Sequence, residues 1–187
     1  MPVSNAAGFP QDYLRKLHQQ CERMRGDDLE SFGDADAWLR NAVDAGSPLA
    51  LILRARLQAG RSPIRGTDGA ADSDPEARRL AIAALTSKRP MVILQAGEVS
   101  ALLQVPAYSD AVETTAWALT ACQRGLDCST KSDWFQLQCA ADQNCQPFES
   151  GVDIMRRRLG NDFDAAERRA REINAALDED RYDDLGF

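Results

Sequence analysis

Apolar residues recur every three or four positions along most of this chain, which is the spacing of amphipathic helices and not the alternation of half-buried strands. The first such segment runs from Gln11 to Arg25, and Gly26 ends it. Comparable segments continue to the last residues of the sequence. The pattern predicts a single all-α domain over residues 11–187, and the ten residues before it, which end at Pro10, are expected to form a flexible leader.

Two of the predicted helices are separated only by a short turn that contains Gly46 and Ser47. Asp34 is a suitable N-cap for the first helix, and Pro48 and Gly60 mark the first turn and the end of the second. The apolar residues on one face of the first helix are Trp38, Leu39, Ala42 and Val43. Two helices joined by so short a turn are expected to pack side by side as an antiparallel αα-hairpin.

This hairpin pattern occurs a second time, 42 residues further along the chain. Trp38 then falls on Leu80, and Pro48 falls on Pro90. The second copy would end at Gly97, with a short separate helix from Glu98 to Leu103. A period of about 40 residues is typical of helical arrays in which each pair packs on the next, and a coincidental helical bundle is the alternative.

Four further helices are predicted after Pro106. They end near Arg124, Ala141, Leu159 and Leu177. The last ten residues, DEDRYDDLGF, hold three apolar side chains among acidic ones, namely Tyr182, Leu185 and Phe187. We expect this segment to fold back as a short helix that covers an apolar end of the domain.

Four of the five cysteines form two pairs with the same spacing. Five residues separate Cys122 from Cys128, and five separate Cys139 from Cys145. Each pair follows a helix end, so bonds within the pairs would pin each helix to its exit turn, whereas bonds between the pairs would join two helices. We expect disulfides, with free thiols or zinc binding as alternatives, and we interpret Cys21 as a buried thiol.

The segment DADAWLRNAVDAGSPLALILRARLQAG, residues 34–60, resembles the junction of a Sel1-like repeat, a relative of the tetratricopeptide repeat. The matching positions are Trp38, Ala42, Ala45, Gly46, Ala50 and Gly60. The resemblance implies an α-α superhelix of antiparallel helix pairs that binds other proteins and catalyses no reaction. The cysteine pairs resemble those of exported, disulfide-bearing bacterial members of that class.

Composition limits the classes of partner. The formal net charge is -7, so the chain as a whole is not expected to attract nucleic acid or anionic lipid, and the arginines at 156–158 are interpreted as a solvated helix face. No apolar run is long enough to span a bilayer. Duplicated cysteine pairs favour a periplasmic or other extracytoplasmic location, with any signal or anchor absent from this sequence, and a cytoplasmic location is the alternative.

The sequence contains no phosphate-binding loop, dinucleotide fingerprint, metalloprotease motif or nucleophile elbow. His18 has no identifiable catalytic neighbour and is interpreted as an ordinary helix residue. Trp38, Trp117 and Trp134 are interpreted as packing residues. We therefore predict no catalytic, cofactor-binding or metal-binding residues and no cofactor.

The sequence-based hypothesis is a non-enzymatic adaptor of the bacterial cell envelope whose partner is another protein. One version is an immunity or inhibitor protein, because an acidic surface would suit a basic toxin. The alternative is a hydrolase acting on cell-wall material through Asp or Glu residues. Two carboxylates with opposed pKa shifts in a cleft would favour the hydrolase.

Overall fold

The computed structural model describes Arg15, Gln19 and residues 34–61, 74–103, 111–142 and 149–187. These residues are helical wherever they have regular secondary structure, and they contain no strand. The prediction of an all-α fold is confirmed. No helix in these ranges combines the length and the apolar character needed to cross a membrane. The leader at residues 1–10 lies outside the described residues, as do His18, Cys21 and Cys145.

The helices follow one another along the chain with short connections. Their bounds are α1 (Ala35–Asp44), α2 (Pro48–Arg61), α3 (Pro75–Leu85), α4 (Pro90–Leu103), α5 (Ala111–Gln123), α6 (Asp133–Asp142), α7 (Gly151–Leu159) and α8 (Phe163–Asp178), with 3-10 turns at Gly160–Asp162 and Tyr182–Leu185. The chain divides into two compact units. One consists of Met1–Trp38 and Asp127–Arg158, and the other of Leu39–Leu126 and Leu159–Phe187.

Side chains at the helix starts explain several of these bounds. Asp74 accepts hydrogen bonds from the backbone N–H groups of Glu76 and Ala77 at 3.0 and 3.1 Å, and Pro75 fills the first helical position of α3. Before α7, the Ser150 hydroxyl accepts from the N–H of Asp153 at 3.2 Å, and Asp153 accepts from the N–H of Ser150 at 2.9 Å. This reciprocal pair is a capping box with aspartate in place of glutamate.

The core of the larger unit lies between α2 and its neighbours. Helix α2 packs against α3 and α4, α4 packs against α5, and α5 packs against α8. The largest fully buried side chains in this unit are Trp117, Phe187, Ile52, Leu85, Ile93, Ile173, Leu177, Leu185, Val92 and Val99. Helices α2 and α4 each contain 14 residues, each begins with proline, and their starts are 42 residues apart.

The structure corrects two details of the predicted repeat. Leu39, Ala42 and Val43 of the predicted inner face of α1 are half-buried, but Trp38 is 61% exposed, so its predicted packing role is wrong. Gly97 does not end a helix; α4 continues through it to Leu103. Packing decides the second point, because Gly97 is buried against Trp117 and the apolar residues on both sides of it are held in the core.

The last residues fold back onto the larger unit, as predicted. Tyr182, Leu185 and Phe187 are all buried. The Phe187 ring meets the Trp117 ring edge to face at a centroid distance of 6.0 Å. The Ser100 hydroxyl donates to the carbonyl oxygen of Leu185 at 3.1 Å, and the Arg78 guanidinium donates to the backbone oxygen of Phe187. The segment thus contributes both apolar area and satisfied polar groups to the core.

The smaller unit has its own buried cluster of Phe135, Cys139 and Ile154. Ser132 caps α6 by accepting a hydrogen bond from the N–H of Phe135 at 3.1 Å. Gly151 provides space for Trp134, because a Cβ at residue 151 would lie 2.4 Å from the nearest ring atom of Trp134. The predicted packing role of Trp134 therefore agrees with its surroundings.

Candidate interaction face

Large apolar side chains that remain exposed are concentrated on two adjacent helices. In the described residues they are Trp38, Leu49, Leu57, Met91 and Leu102. Four of these five lie on α2 and α4. Scattered exposed leucines are common on protein surfaces, but a concentration of them on neighbouring helices is typical of an interaction site.

On α2, Leu49 and Leu57 are 41% and 42% exposed. They are eight residues apart, just over two helical turns, so they lie on the same side of the helix. Arg56 lies two turns from Leu49 on almost the same line along the helix. The opposite side of α2 is buried through Ile52, Ala55 and Ala59.

Helix α4 has a matching exposed line. Met91 and Leu102 are 40% and 45% exposed and lie about three turns apart on one side. Glu98 lies between them on the same line and is exposed as well. The remaining faces of α4 are buried through residues that include Val92, Ile93, Ala96 and Val99.

An ion pair places these two lines next to each other. Arg56 Nε lies 2.7 Å from Glu98 Oε2, and Arg56 Nη1 donates to Gln95 Oε1 at 3.4 Å. Each of the two charged side chains is 46% exposed, so the pair adds little stability, but its geometry fixes which sides of α2 and α4 adjoin. We call the surface formed by Leu49, Arg56, Leu57 and by Met91, Glu98, Leu102 the α2–α4 face.

The helices around this face are positively charged, although the whole chain is negatively charged. Helices α2, α3 and α4 contain five arginines and two glutamates. Helix α2 contributes three of the arginines and no acidic residue. Because the formal net charge of the chain is -7, a compensating excess of acidic residues must lie elsewhere. Within the α2–α4 face itself Arg56 and Glu98 are paired, so the face carries no net formal charge and is partly apolar.

The predicted cysteine residues are only partly within the described range. Cys122, Cys128 and Cys139 are all disulfide-bonded, and the structure contains a Cys122–Cys128 bond. The expectation of disulfides is confirmed for these residues. The partner of Cys139 is not settled, because Cys145 lies outside the described residues, so a Cys139–Cys145 bond stays one of the pairings that the sequence left open.

Four carboxylates in the described ranges have a displaced pKa, and in each case the pKa is lowered. A hydrogen bond from Arg79 lowers the pKa of Glu76, and one from Ser129 lowers that of Asp127. Hydrogen bonds from Ser150 lower the pKa of Asp153, and the Tyr182 hydroxyl lowers that of Asp180. A lowered pKa keeps a carboxylate ionised, as an ion pair or a cap requires, whereas a general acid at neutral pH needs a raised one.

The described residues also bring together no group of three or more His, Cys, Asp or Glu side chains that could hold a metal ion. No protein-family model matches the chain, and no match was found among the curated proteins or the solved structures. The resemblance to a Sel1-like repeat therefore stays a prediction.

The residues of the α2–α4 face were not among those predicted from sequence. Their apolar side chains fit equally well into a buried helix pattern, so periodicity alone does not distinguish them from core residues. A signal was present in the 42-residue offset, which aligns Leu49 with Met91 and Arg56 with Glu98. Equivalent exposed positions on two helices of equal length would have indicated a shared surface.

Proposed function

We propose that the protein is a non-enzymatic binding module that recognises another protein through the α2–α4 face. The observation that carries this proposal is the concentration of exposed Leu49, Leu57, Met91 and Leu102 on two adjoining helices. Burying such side chains against a partner removes apolar area from water, at about 25 cal/mol per Å². Arg56 and Glu98 at the centre satisfy each other and need no partner group to compensate them.

The mode of binding that fits this surface is a helix laid along the two lines of exposed residues. An amphipathic helix presents apolar side chains at intervals of three, four and seven residues, and the exposed pairs lie just over two turns apart on α2 and about three turns apart on α4.

We also propose that the protein is a Sel1-like array of helix pairs and that it is exported to a bacterial cell envelope. A Sel1-like array of helix pairs is supported by the equal lengths and the proline starts of α2 and α4, 42 residues apart. An exported protein of a bacterial envelope is supported by the disulfide-bonded state of Cys122, Cys128 and Cys139. An adaptor would use the α2–α4 face to hold its partner, and an inhibitor would use the same face.

Site-specific photo-crosslinking in the organism that encodes the protein tests this proposal. A photoreactive phenylalanine analogue would replace Leu57 or Met91, and the matched control would replace exposed Arg171 on α8. We expect a discrete protein adduct from residues 57 and 91 but not from residue 171. The adduct should disappear when Leu49 and Leu102 are both changed to aspartate. Equal labelling from all three positions, or no protein adduct from residues 57 and 91, would contradict the proposal.

A further inference from the structure

The C-terminal segment, residues 179–187, lies in a seat formed by other helices of the larger unit. Its apolar side chains Tyr182, Leu185 and Phe187 are all buried there. The seat residues that hold the segment come from α3, the turn after α3, α4 and α5, and they are Arg78, Lys88, Ser100 and Trp117. The structure therefore shows which sequence this seat accepts.

The backbone hydrogen bonds of the segment stay within it or go to the end of α8. The N–H of Arg181 donates to the carbonyl oxygen of Ala176 at 2.8 Å, and that of Phe187 donates to the carbonyl oxygen of Tyr182 at 3.1 Å. The seat, by contrast, holds the segment through side chains. The segment can therefore leave its seat, and enter an equivalent one, with its own turn intact.

The short connection between α8 and the segment is strained. Asp180 has a φ of 54°, in the left-handed region that residues other than glycine seldom adopt. Among the described residues other than glycine, Lys88 alone shares a positive φ, and its Nζ lies 3.4 Å from Asp180 Oδ1. Both partners are partly exposed, so the ion pair offsets little of the strain. Opening this hinge would allow Asp180 to adopt ordinary dihedral angles.

We propose that two copies of this chain exchange their C-terminal segments, so that residues 179–187 of each copy occupy the seat of the other. The contacts between seat and segment are the same in the monomer and in this domain-swapped dimer, so they favour neither form. The hinge decides between the two forms, and a short hinge under strain favours exchange. Exchange goes beyond the proposed function and uses none of the residues of the α2–α4 face.

Two substitutions at residue 180 test the role of the hinge. Asp180→Gly and Asp180→Ala both remove the carboxylate that contacts Lys88 and Tyr182, so they differ mainly in backbone preference. Glycine adopts a positive φ readily, whereas alanine does not. We expect the alanine variant to dimerise at least about fivefold more tightly than the glycine variant, because strain is released at both hinges of the dimer.

Size-exclusion chromatography with light scattering, after refolding from urea at increasing protein concentration, measures this difference. The wild-type chain should shift from a mass of 20.5 kDa to about twice that value as its concentration rises. The matched control is the same pair of substitutions at Lys88, which has a φ of 51° but lies outside the hinge. Lys88→Gly and Lys88→Ala should differ in thermal stability, yet their dimer dissociation constants should differ by less than about twofold.

Photo-crosslinking of mixed isotopes identifies the exchanged segment directly. A photoreactive phenylalanine analogue replaces Asp183, whose side chain is 93% exposed and lies 3.1 Å from Arg78 of α3. Unlabelled and ¹⁵N-labelled copies are refolded together, and the dimer and monomer are separated before irradiation. We expect adducts between residue 183 and α3 to join peptides of different isotope in the dimer, and peptides of the same isotope in the monomer. Circular dichroism checks that each variant is folded.

Three results would overturn the proposed exchange. The first is a protein that stays monomeric at the highest soluble concentration, including Asp180→Ala. The second is equal dimerisation of Asp180→Gly and Asp180→Ala. The third is a dimer in which residue 183 crosslinks only to α3 of its own chain, because such a dimer forms through another surface. Each of these results leaves the proposed function standing, since crosslinking from residues 57 and 91 tests that separately.

Discussion

Gly97 and Trp117 are in direct contact across the α4–α5 interface, with no space between them for a side chain at residue 97. A Cβ built on Gly97 would lie 2.7 Å from Trp117 Cβ and 2.8 Å from Trp117 Cγ. Real Cβ atoms do not approach other carbons so closely, and neither of these Trp117 atoms is the flexible end of a side chain. The close approach of α4 to α5, and with it the position of Trp117 beside Phe187, depends on glycine at this position.

Gly97→Ala is therefore expected to destabilise the protein, although alanine favours a helix by about 1 kcal/mol over glycine. Overpacking of a core contact costs about 1–3 kcal/mol, so the expected net loss is about 1–2 kcal/mol. Gly60→Ala in α2 is the matched control, because a Cβ there would meet nothing within 4 Å. It should leave stability unchanged or raise it by up to about 1 kcal/mol. Urea unfolding measures both, and equal effects would contradict the packing argument.

A partly buried ion pair between α5 and α8 gives a second prediction. Arg169 Nε lies 2.7 Å from Glu113 Oε2, and the indole N–H of Trp117 donates to Glu113 Oε1 at 3.1 Å. The side chains of Glu113 and Arg169 are 26% and 27% exposed. The hydrogen bonds to Glu113 raise the pKa of Arg169. Glu113 thus joins two donors from different helices.

Glu113→Gln is expected to lower the unfolding free energy by about 1–3 kcal/mol, because it removes the charge that two donors share in a partly buried site. Arg169→Met tests the partner, and the double variant completes a cycle. A coupling energy of at least about 0.5 kcal/mol is expected for residues in contact. For comparison, Glu172→Gln changes an exposed partner of Arg169 and should cost less than about 0.5 kcal/mol. Additive effects of Glu113→Gln and Arg169→Met would contradict the role assigned to the pair.

The ionisation of Tyr182 is expected to make the folded state less stable at alkaline pH. Burial, and then the hydrogen bond to Asp180, raise the pKa of Tyr182 from 10.0 to about 12. Between these values the unfolded chain has lost the phenolic proton and the folded chain retains it, so the folded state binds more protons and stability falls as pH rises. The contribution is fully present below pH 10 and is lost as the pH passes about 12.

Chemical unfolding at a series of pH values from 9 to 12 measures this loss, and Tyr182→Phe should reduce the slope because phenylalanine cannot ionise. Absorbance of the tyrosinate ion in the folded wild type should show one titration delayed relative to the unfolded chain. An unchanged slope in Tyr182→Phe would show that other groups cause the alkaline loss.

Thiol counting tests the disulfides. Three disulfide-bonded cysteines, Cys122, Cys128 and Cys139, require a fourth, so one thiol per chain is expected under denaturing conditions without reductant. Replacing Cys122 and Cys128 together by serine should leave the count at one and cost about 2 kcal/mol, the loop-entropy value for so short a loop. Replacing Cys122 and Cys139 together should raise the count to three, because it breaks two different bonds. The reverse result would contradict the Cys122–Cys128 connectivity.

The helical fold and many of the helix starts and ends follow from local chemistry, so they were predictable from the sequence. Asp74 with Pro75 begins α3, and the apolar residues Tyr182, Leu185 and Phe187 among acids indicated a segment that folds back. Each signal depends on neighbours within a few residues, so it can be read along the chain. The C-terminal end of α4 was not predictable in the same way. Gly97 is a local helix-breaking signal, and a contact with a residue 20 positions away overrides it.

The sequence by itself determined that this chain forms amphipathic helices with disulfide-forming cysteines near two helix ends, because hydrophobic period, caps and cysteine spacing are local properties. Only the tertiary structure decided which apolar stripes became core. Trp38 stayed exposed while Trp117 was buried, and Leu49 and Met91 came to lie on adjoining surfaces. The physical reason is that burial depends on which helices pack together, and that choice is made by contacts between residues far apart in the chain.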